Sequence, residues 1–446
     1  MRDHQDTIFA MSSPPGRSAL SIIRISGKKA FWAVKKLTKN KIETFKHRSS
    51  LPANIYNKNN NLLDKVVFVF YCAPASYTGE NIVEVSTHGN PIIVDRVFKA
   101  LAALGLRLAN PGEFTSRAYH NKKIDLVQAE ATLSVINSRS KMGVQSSLLG
   151  VFGKLSTKLE DIKKLLILSL GELEYELDIS ETDNKNKTVA RAEKNIKLSI
   201  AEMEKLIKTH DKSTMLNEGA KIVIMGAPNV GKSTLLNTLI NENRAIVTNT
   251  PGTTRDTIKS LTYFSNYPVL LTDTAGIRKT NNQIESLGIE KTNQEILSSD
   301  IIFNIQSNIA SENKKTDQSK TINIFNKSDL MTNKMIKTLQ TNDPNCVVIS
   351  AKNKSGIDEL KTKTEKMLKT KTVTTEPFFL SSKRQQTALI KSKKHLREAL
   401  GDQSLNELEI IAHNIRLALG EFDWVLGKTT PDDILNSVFS DFCVGK

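Results

Sequence analysis

Apolar positions along the chain follow three rhythms. In residues 1–118 they come as short β-branched or aromatic runs at 22–25, 66–70 and 82–85, the last entered from a Thr78-Gly79 turn. Each run predicts a strand. Residues 91–106 then have helical spacing and end near Gly105, so this part reads as α+β. From Leu126 to Leu216 the rhythm changes. Leu155, Leu159, Ile162, Leu166, Leu170, Leu173 and Leu177 recur at three- and four-residue steps, one apolar stripe on a long helix. The polar stretch 180–188 predicts a loop, and a second helical run goes from Val189 towards Ile207. At Ala220 strands and helices begin to alternate, as far as Lys371. Residues 372–377 read as a linker, and the remainder is helical through Leu389, Leu396, Leu400, Leu408, Ile411, Ile415 and Leu419. Neither helical stretch has a core of its own. They are expected to pack together, with the α/β segment inserted between them.

Composition narrows the class. A chain of 446 residues, 39% hydrophobic and 25% charged, is long enough for about two to four ordinary domains. No apolar run approaches the ~18 residues a membrane helix needs, and residues 1–6 do not read as a signal peptide. Cys72, Cys346 and Cys443 lie far apart, which disfavours a disulfide framework or a thiolate zinc site and fits a reducing cytoplasm. The formal charge of +16 fits attraction to nucleic acid. It equally fits a compositional bias towards lysine.

The chemistry begins at Gly226-Ala-Pro-Asn-Val-Gly231-Lys232-Ser233, a complete G-x-x-x-x-G-K-S loop between a predicted strand at 221–225 and a predicted helix containing Leu235, Leu236 and Leu239. Its glycines let backbone N–H groups surround phosphate oxygens, Lys232 supplies charge at the β/γ-phosphates, and the Ser233 hydroxyl suits Mg²⁺. Asp273-Thr274-Ala275-Gly276 follows the strand 269–271, its aspartate suited to holding Mg²⁺ through water. Asn326-Lys327-Ser328-Asp329 follows the strand 322–325, and the Asp329 carboxylate can accept from guanine N1–H and the 2-amino group. Ser350-Ala351-Lys352, after 347–349, would close over the base. Four motifs in order, each at a strand end, predict a guanine-specific P-loop domain with a doubly wound sheet.

Ile277 stands where Ras-like enzymes carry a water-orienting glutamine, so hydrolysis needs help from elsewhere. Asn229 offers an amide oxygen beside the phosphates for a monovalent cation. The switch candidate Thr248-Asn249-Thr250-Pro251-Gly252-Thr253-Thr254 would add carbonyls, with Thr254 as its Mg²⁺-sensing hydroxyl. Glu285 is a candidate base or water-orienting group; taken alone it reads better as a solvated helix residue.

Further segments carry a family resemblance. Pro14-Pro-Gly-Arg17, 77–84 (Tyr-Thr-Gly-Glu-Asn-Ile-Val-Glu), His88-Gly89, Pro111-Gly-Glu-Phe114, 117–131 and the terminal Phe442-Cys443-Val444-Gly445-Lys446 resemble the MnmE (TrmE) family of bacterial tRNA-modification GTPases along nearly the whole chain. The resemblance implies a multidomain protein: a folate-binding and dimerising α+β domain at 1–118, a helical domain at 119–216 and 373–446, and an inserted α/β P-loop G domain at 217–372. It implies a GTP hydrolase, with GTP held by Asn229, Val230, Gly231, Lys232, Ser233 and Thr234, by residues 248–254, by 273–276, by Asn326, Lys327 and Asp329, and by 350–352. K⁺ falls to Asn229, Thr248, Thr250 and Thr253, Mg²⁺ to Ser233 and Thr254, and catalysis to Glu285. One-carbon tetrahydrofolate, as the 5-formyl or methylene form, falls to Arg24, Glu84, Lys123 and Lys446. The carboxylate suits a pterin and the cations suit the glutamyl tail.

The implied activity is K⁺-stimulated GTP hydrolysis that serves addition of a carboxymethylaminomethyl or aminomethyl group to C5 of the wobble uridine of tRNA. The implied partners are a second copy of the chain, tRNA, and the flavoprotein MnmG (GidA) in a two-plus-two or larger assembly. FAD and NADH belong to that partner, and no membrane is involved. Cys443 invites a reading as a nucleophile on the uridine, against packing as the plainer one. A ribosome-assembly or translation-associated GTPase is the alternative, and it leaves the terminal C-x-G-K unexplained. Lysines in 180–187, Ile305-Gln306-Ser307-Asn308 and His88-Gly89-Asn90 depart from the family pattern.

Overall fold

A computed structural model describes residues 6–178, 185–241, 259–273, 294–307, 318–343, 346–372, 376–401 and 408–446. Two compact units emerge, one made of Met1–Leu133, Val151–Ile196 and Thr387–Lys446, the other of Ser134–Gly150 and Lys197–Gln386.

The first unit opens with a six-stranded sheet. Its strands are β1 (Ile8–Met11), β2 (Ser18–Ser26), β3 (Ser50–Tyr56), β4 (Leu62–Tyr71), β5 (Ile82–Gly89) and β6 (Arg107–Leu108), in the order β3-β4-β5-β2-β1-β6. All neighbours are antiparallel except β1 and β6. Alternation along β4 turns Val66, Phe68 and Phe70 inward, where they join Ile23, Ile25, Val83 and Val85 in one core. Helices α1 (Ala30–Leu37) and α2 (Pro91–Ala103) bring Val34, Leu37, Val97 and Leu101 to the same core. Asn90 caps α2 by accepting the Ile92 N–H at 2.9 Å, and Pro91 follows where its missing N–H costs nothing.

The three predicted strands are β2, β4 and β5. The predicted helix at 91–106 ends at Ala103, because Gly105 turns into the left-handed region at φ +80°. The small helices α3 (Glu113–His120), α4 (Leu126–Asn137) and α5 (Lys141–Val151) lead to the long helix α6 (Lys154–Asp178). Its predicted stripe is real: Leu155, Leu159, Ile162, Leu166 and Leu173 are buried.

Helix α7 (Lys185–Glu218) departs from expectation at both ends. It begins inside the predicted loop and runs eleven residues beyond Ile207. The lysine, arginine, alanine and glutamate that fill it favour helix without any apolar run to announce it.

The second unit holds a sheet of β7 (Ala220–Gly226), β8 (Lys259–Phe264), β9 (Tyr267–Asp273), β10 (Ile301–Gln306), β11 (Thr321–Phe325) and β12 (Val347–Val348). The order is β12-β11-β10-β7-β9-β8, parallel throughout except for the β8–β9 pair. Near-continuous apolar strands such as Ile301–Gln306 mark a sheet buried on both faces. Helices α8 (Lys232–Asn241), α9 (Asn333–Asn342) and α10 (Ile357–Thr372) belong to this sheet. The order reverses between β7 and β10, the crevice where open α/β sheets bind ligands.

The remaining helices are α11 (Lys383–Ala399), α12 (Leu408–Leu426) and α13 (Asp432–Ser440). The two helical stretches meet as expected: α6 packs on α12, with Lys163 Nζ 2.6 Å from Asp423 Oδ1 and Arg416 Nη2 2.7 Å from Glu174 Oε1. Among the described residues no helix is long and apolar enough to cross a membrane.

Candidate functional site

The phosphate loop leaves β7 and enters α8. Gly226 has φ +152°, and a Cβ there would lie 2.3 Å from the Ile305 carbonyl oxygen. Gly231 has φ +98°, and its Cβ would lie 2.2 Å from Asn326 Nδ2. Asn229 itself adopts φ +60° between them. Lys232 curls back over the loop and donates to the carbonyls of Gly226 at 3.1 Å and Ala227 at 2.8 Å. Ser233 and Thr234 are exposed in the first turn of α8, where helix N–H groups and a hydroxyl suit phosphate and Mg²⁺.

The loops of Asn326-Lys327-Ser328-Asp329 and Ser350-Ala351-Lys352 are tied to this cradle. Asn326, buried, donates from Nδ2 to the Val230 carbonyl at 2.8 Å and accepts the Ala351 N–H on Oδ1 at 3.0 Å. Lys327 turns the chain at φ +68°, and the Ser328 N–H reaches the Ile349 carbonyl at 3.0 Å. Asp329 is exposed, and Ser350 Oγ donates to its Oδ1 at 2.5 Å. That bond, more than any other influence, holds the Asp329 carboxyl below its ordinary value, with Lys352 and Lys327 adding to it. The carboxylate therefore stays ionised, which suits it to accept from a pair of neighbouring donors.

So Val230, Gly231, Lys232, Asn326, Asp329, Ser350 and Ala351 come together. Asp273 ends β9, paired in register with Ile224 of β7, on the same sheet end. Thr248, Asn249, Thr250, Pro251, Gly252, Thr253, Thr254, Thr274, Ala275, Gly276 and Glu285 lie outside the described residues.

A second site lies in the other unit. A cavity of about 300 Å³ is lined by Arg24, Tyr71, Tyr77, Ile82, Glu84, Thr132 and Lys446. Arg24 and Glu84 are direct cross-strand partners on β2 and β5, which is why residues 60 apart in sequence share one wall. Arg24 donates to Glu84 Oε1 from Nε at 3.1 Å and Nη2 at 2.8 Å. Tyr71 Oη donates to the other oxygen at 3.4 Å. Tyr77 anchors its hydroxyl on Thr115 at 3.0 Å, and the Arg24 guanidinium lies 6.0 Å from the Tyr77 ring centre and 5.7 Å from that of Phe114.

The 443–446 segment is fixed to this wall. Val444 bridges Pro111, and the Gly445 carbonyl accepts from Ser12 Oγ at 3.2 Å and Arg24 Nη1 at 3.3 Å. Burial, reinforced by the Arg24 charge, pushes the Lys446 ammonium below its ordinary value. Burial, followed by the Glu84 charge, pushes Tyr71 up.

Three of the four residues expected at a folate pocket line this cavity. Lys123 does not: it is exposed, and its Nζ donates to the Pro74 carbonyl at 3.0 Å. Cys443 is exposed, with its carbonyl taking the Gly112 and Lys446 N–H groups. Among the described residues no cluster of His, Cys, Asp and Glu could hold a metal ion.

The MnmE helical domain family matches residues 126–443, and the family of the GTP-binding protein TrmE N-terminus matches residues 7–123. The tRNA modification GTPase MnmE of Fervidobacterium nodosum is 36% identical over 457 residues, covering 99% of this chain and 98% of the relative. That of Moorella thermoacetica is 35% identical over 468 residues, covering 99% of each. The chain belongs to the MnmE family of tRNA modification GTPases. As a family member it is a GTP hydrolase that acts in tRNA modification. Its architecture is that of the family: an α+β N-terminal part, a helical part and an inserted P-loop G domain.

Within this MnmE member, Tyr77 and Ile82 line the cavity from the 77–84 segment, and Tyr71 and Thr132 join them from outside any segment quoted for the resemblance. Alternation on β4 gives Tyr71 a half-exposed place beside Glu84, a signal available only once the register is known. Arg117 opens the 117–131 segment, with no spacing signal for the role it takes in the structure. It is 1% exposed and holds Asp6, Glu80 and Glu113 with contacts of 2.7–3.2 Å, which fixes the turn that carries Tyr77.

Proposed function

We propose that this chain couples K⁺-stimulated GTP hydrolysis to folate-dependent modification of the wobble uridine of tRNA at C5, as a homodimer working with an MnmG-type flavoprotein. The domains divide at 1–118, 119–216, 217–372 and 373–446. The observation that carries the reading is the cavity in which Glu84, Arg24 and Lys446 converge. Its volume is at the lower end of the range for small-molecule pockets. Its polar wall suits a pterin, which offers an N–H and an amino group to a carboxylate, with Lys446 for the anionic tail and Arg24 shared between Glu84 and that tail. Gly226 and Gly231, where a Cβ would run into Ile305 and Asn326, let the loop turn tightly into the N-terminus of α8, which suits a phosphate chain.

When bound, K⁺ and Mg²⁺ supply positive charge at the phosphates, and the folate supplies the methylene carbon. This chain's residues do the rest. Asn229 and the 248–254 loop would hold K⁺, Ser233 and Thr254 would hold Mg²⁺, and Lys232 would exchange its loop carbonyls for phosphate oxygens. Glu285 would orient the water. Asp329 and Ser350 would select guanine.

Nucleoside analysis of tRNA from a strain lacking this chain tests the reading. Loss of the C5 group at the wobble uridine, restored by the intact chain, is expected. An unchanged nucleoside profile overturns it. The purified chain should also hydrolyse GTP faster in K⁺ than in Na⁺, and equal rates would remove the K⁺ assignment.

A further inference from the structure

Residues 76–80, Ser-Tyr-Thr-Gly-Glu, make a turn with one large apolar surface, the ring of Tyr77, and that ring lines the cavity. Apolar packing therefore gives the turn little hold, and polar bonds supply it. Gly79 bends the chain at φ +77°. Thr78 is fully buried, with its Oγ1 2.8 Å from Ser26 Oγ, which in turn donates to Glu80 Oε2 at 2.7 Å. Helix α3 grips the turn at two points. Thr115 Oγ1 lies 3.0 Å from Tyr77 Oη, and Arg117 Nη1 donates to both Glu80 carboxylate oxygens at 3.2 Å.

Arg117 serves three carboxylates, but they do not depend on it equally. Its Nη2 donates to Asp6 Oδ1 at 2.7 Å and to Glu113 Oε1 at 3.0 Å. Both of those have a second cation, since Arg107 donates to Asp6 Oδ2 at 2.7 Å and to Glu113 Oε1 at 2.6 Å. Among the described residues Glu80 pairs with no cation besides Arg117. The turn is thus the member of the cluster that Arg117 alone holds. Arg117 Nε, meanwhile, is buried without a hydrogen-bond partner among the described residues. A buried ion cluster with an unmet donor is a poor device for stability alone, because well-packed apolar side chains often do as well. Position is what it does secure. The Tyr77 ring centre stays 6.0 Å from the Arg24 guanidinium, and the turn feeds β5, whose Ile82 and Glu84 line the same cavity.

We propose that Arg117 is a positioning residue for the cavity: acting through Glu80, it holds the 76–80 turn so that Tyr77 presents its ring to the ligand. The Tyr77 hydroxyl is engaged by Thr115, so ring carbons and not the oxygen meet what fills the cavity. A flat ring system is the ligand chemistry that suits them. This role rests on the folate reading of the cavity and adds a residue that touches no ligand.

Titration of the full chain with 5-formyl-tetrahydrofolate tests this order of action. Arg117→Met and Tyr77→Ala should each weaken binding about tenfold, and the double variant should bind no worse than Tyr77→Ala, since residues that act through one another do not add. Amide hydrogen exchange across 76–80, followed without ligand, should speed up at least about tenfold in Arg117→Met, while β7 in the other unit exchanges as before. Folate affinity or 76–80 exchange equal to that of the unaltered chain overturns the proposal. So do losses that multiply in the double variant, which would leave Arg117 a merely structural residue. Should Arg117→Met fail to fold, Glu80→Leu takes its place under the same expectations, because it leaves Arg117 paired with Asp6 and Glu113. If the unaltered chain takes up no 5-formyl-tetrahydrofolate, the folate reading falls, and exchange across 76–80 then decides the positioning role by itself.

Discussion

Asn326 donates to the Val230 carbonyl at 2.8 Å, so the first residue of the guanine motif is a strut of the phosphate loop. Its other amide atom holds Ala351, and the two bonds tie three loops into one body. Asn326→Ala leaves buried groups on both neighbours without partners, at a cost of about 2–3 kcal/mol in stability. Affinity for GTP and for xanthosine triphosphate should fall together, because the damage is to the frame and not to base selection. A denaturation midpoint equal to that of the unaltered chain, or a loss confined to GTP, would contradict this.

Asp329→Asn should behave differently. It keeps the loops joined through Asn326 and changes only what the base meets. GTP affinity should drop at least about tenfold, because the guanine donors lose a charged acceptor, while xanthosine triphosphate binds better. Ser350→Ala gives the matching pH effect. Ser350 holds the Asp329 carboxyl below its ordinary value, so guanine recognition is present above that lowered pKa and fails as pH falls through it. Removing the hydroxyl moves that failure to higher pH. A Ser350→Ala profile that overlays the unaltered one would remove the role of this bond.

Gly231→Ala tests the cradle. The added methyl would lie 2.2 Å from Asn326 Nδ2, on a backbone at φ +98°. Both the contact and the strain fall on the bond that joins the loops, so a loss of about 2–4 kcal/mol is expected together with loss of nucleotide binding. Thermal unfolding followed with and without GTP reads both. A variant of ordinary stability that still gains stability from GTP would show that the cradle can widen.

Legibility followed physics. The G domain was readable because its strands are apolar on both faces and each motif sits at a strand end, so sequence order alone located Gly231, Asn326 and Asp329. The stripe of α6 was equally plain. Strand β3 was silent: Ser-Leu-Pro-Ala-Asn-Ile-Tyr lies at the sheet edge with mostly exposed positions, and an edge has little apolar pattern to show. The apolar rhythm stops short of both ends of α7, because propensity and not periodicity builds them. The cavity was readable only through the family resemblance. Arg24 and Glu84 meet because of strand register, and Tyr71 and Thr132 because of folding that no spacing rule predicts. Lys123, carried over by resemblance, stands apart from the cavity, since its ammonium is engaged at Pro74.

The last prediction turns on Lys446. Its ammonium is half-buried near Arg24, and both effects depress its pKa. A lysine with a depressed folded-state pKa costs stability wherever it is charged, and that cost fades as pH rises from the lowered pKa to the ordinary one. An anionic ligand tail needs the opposite, a charged Lys446, so 5-formyl-tetrahydrofolate affinity should decline as pH rises through the lowered value. Arg24→Ala removes one of the two depressing influences and should shift that decline to higher pH. It should also weaken the folate, because Glu84 loses both bonds to its Oε1 and keeps only the long one from Tyr71. Titration calorimetry across the alkaline range measures both effects, with GTP binding as the internal control. If the folate bound equally at every pH, or if Arg24→Ala weakened GTP as much as folate, the cavity would not be the place where the anionic tail is held.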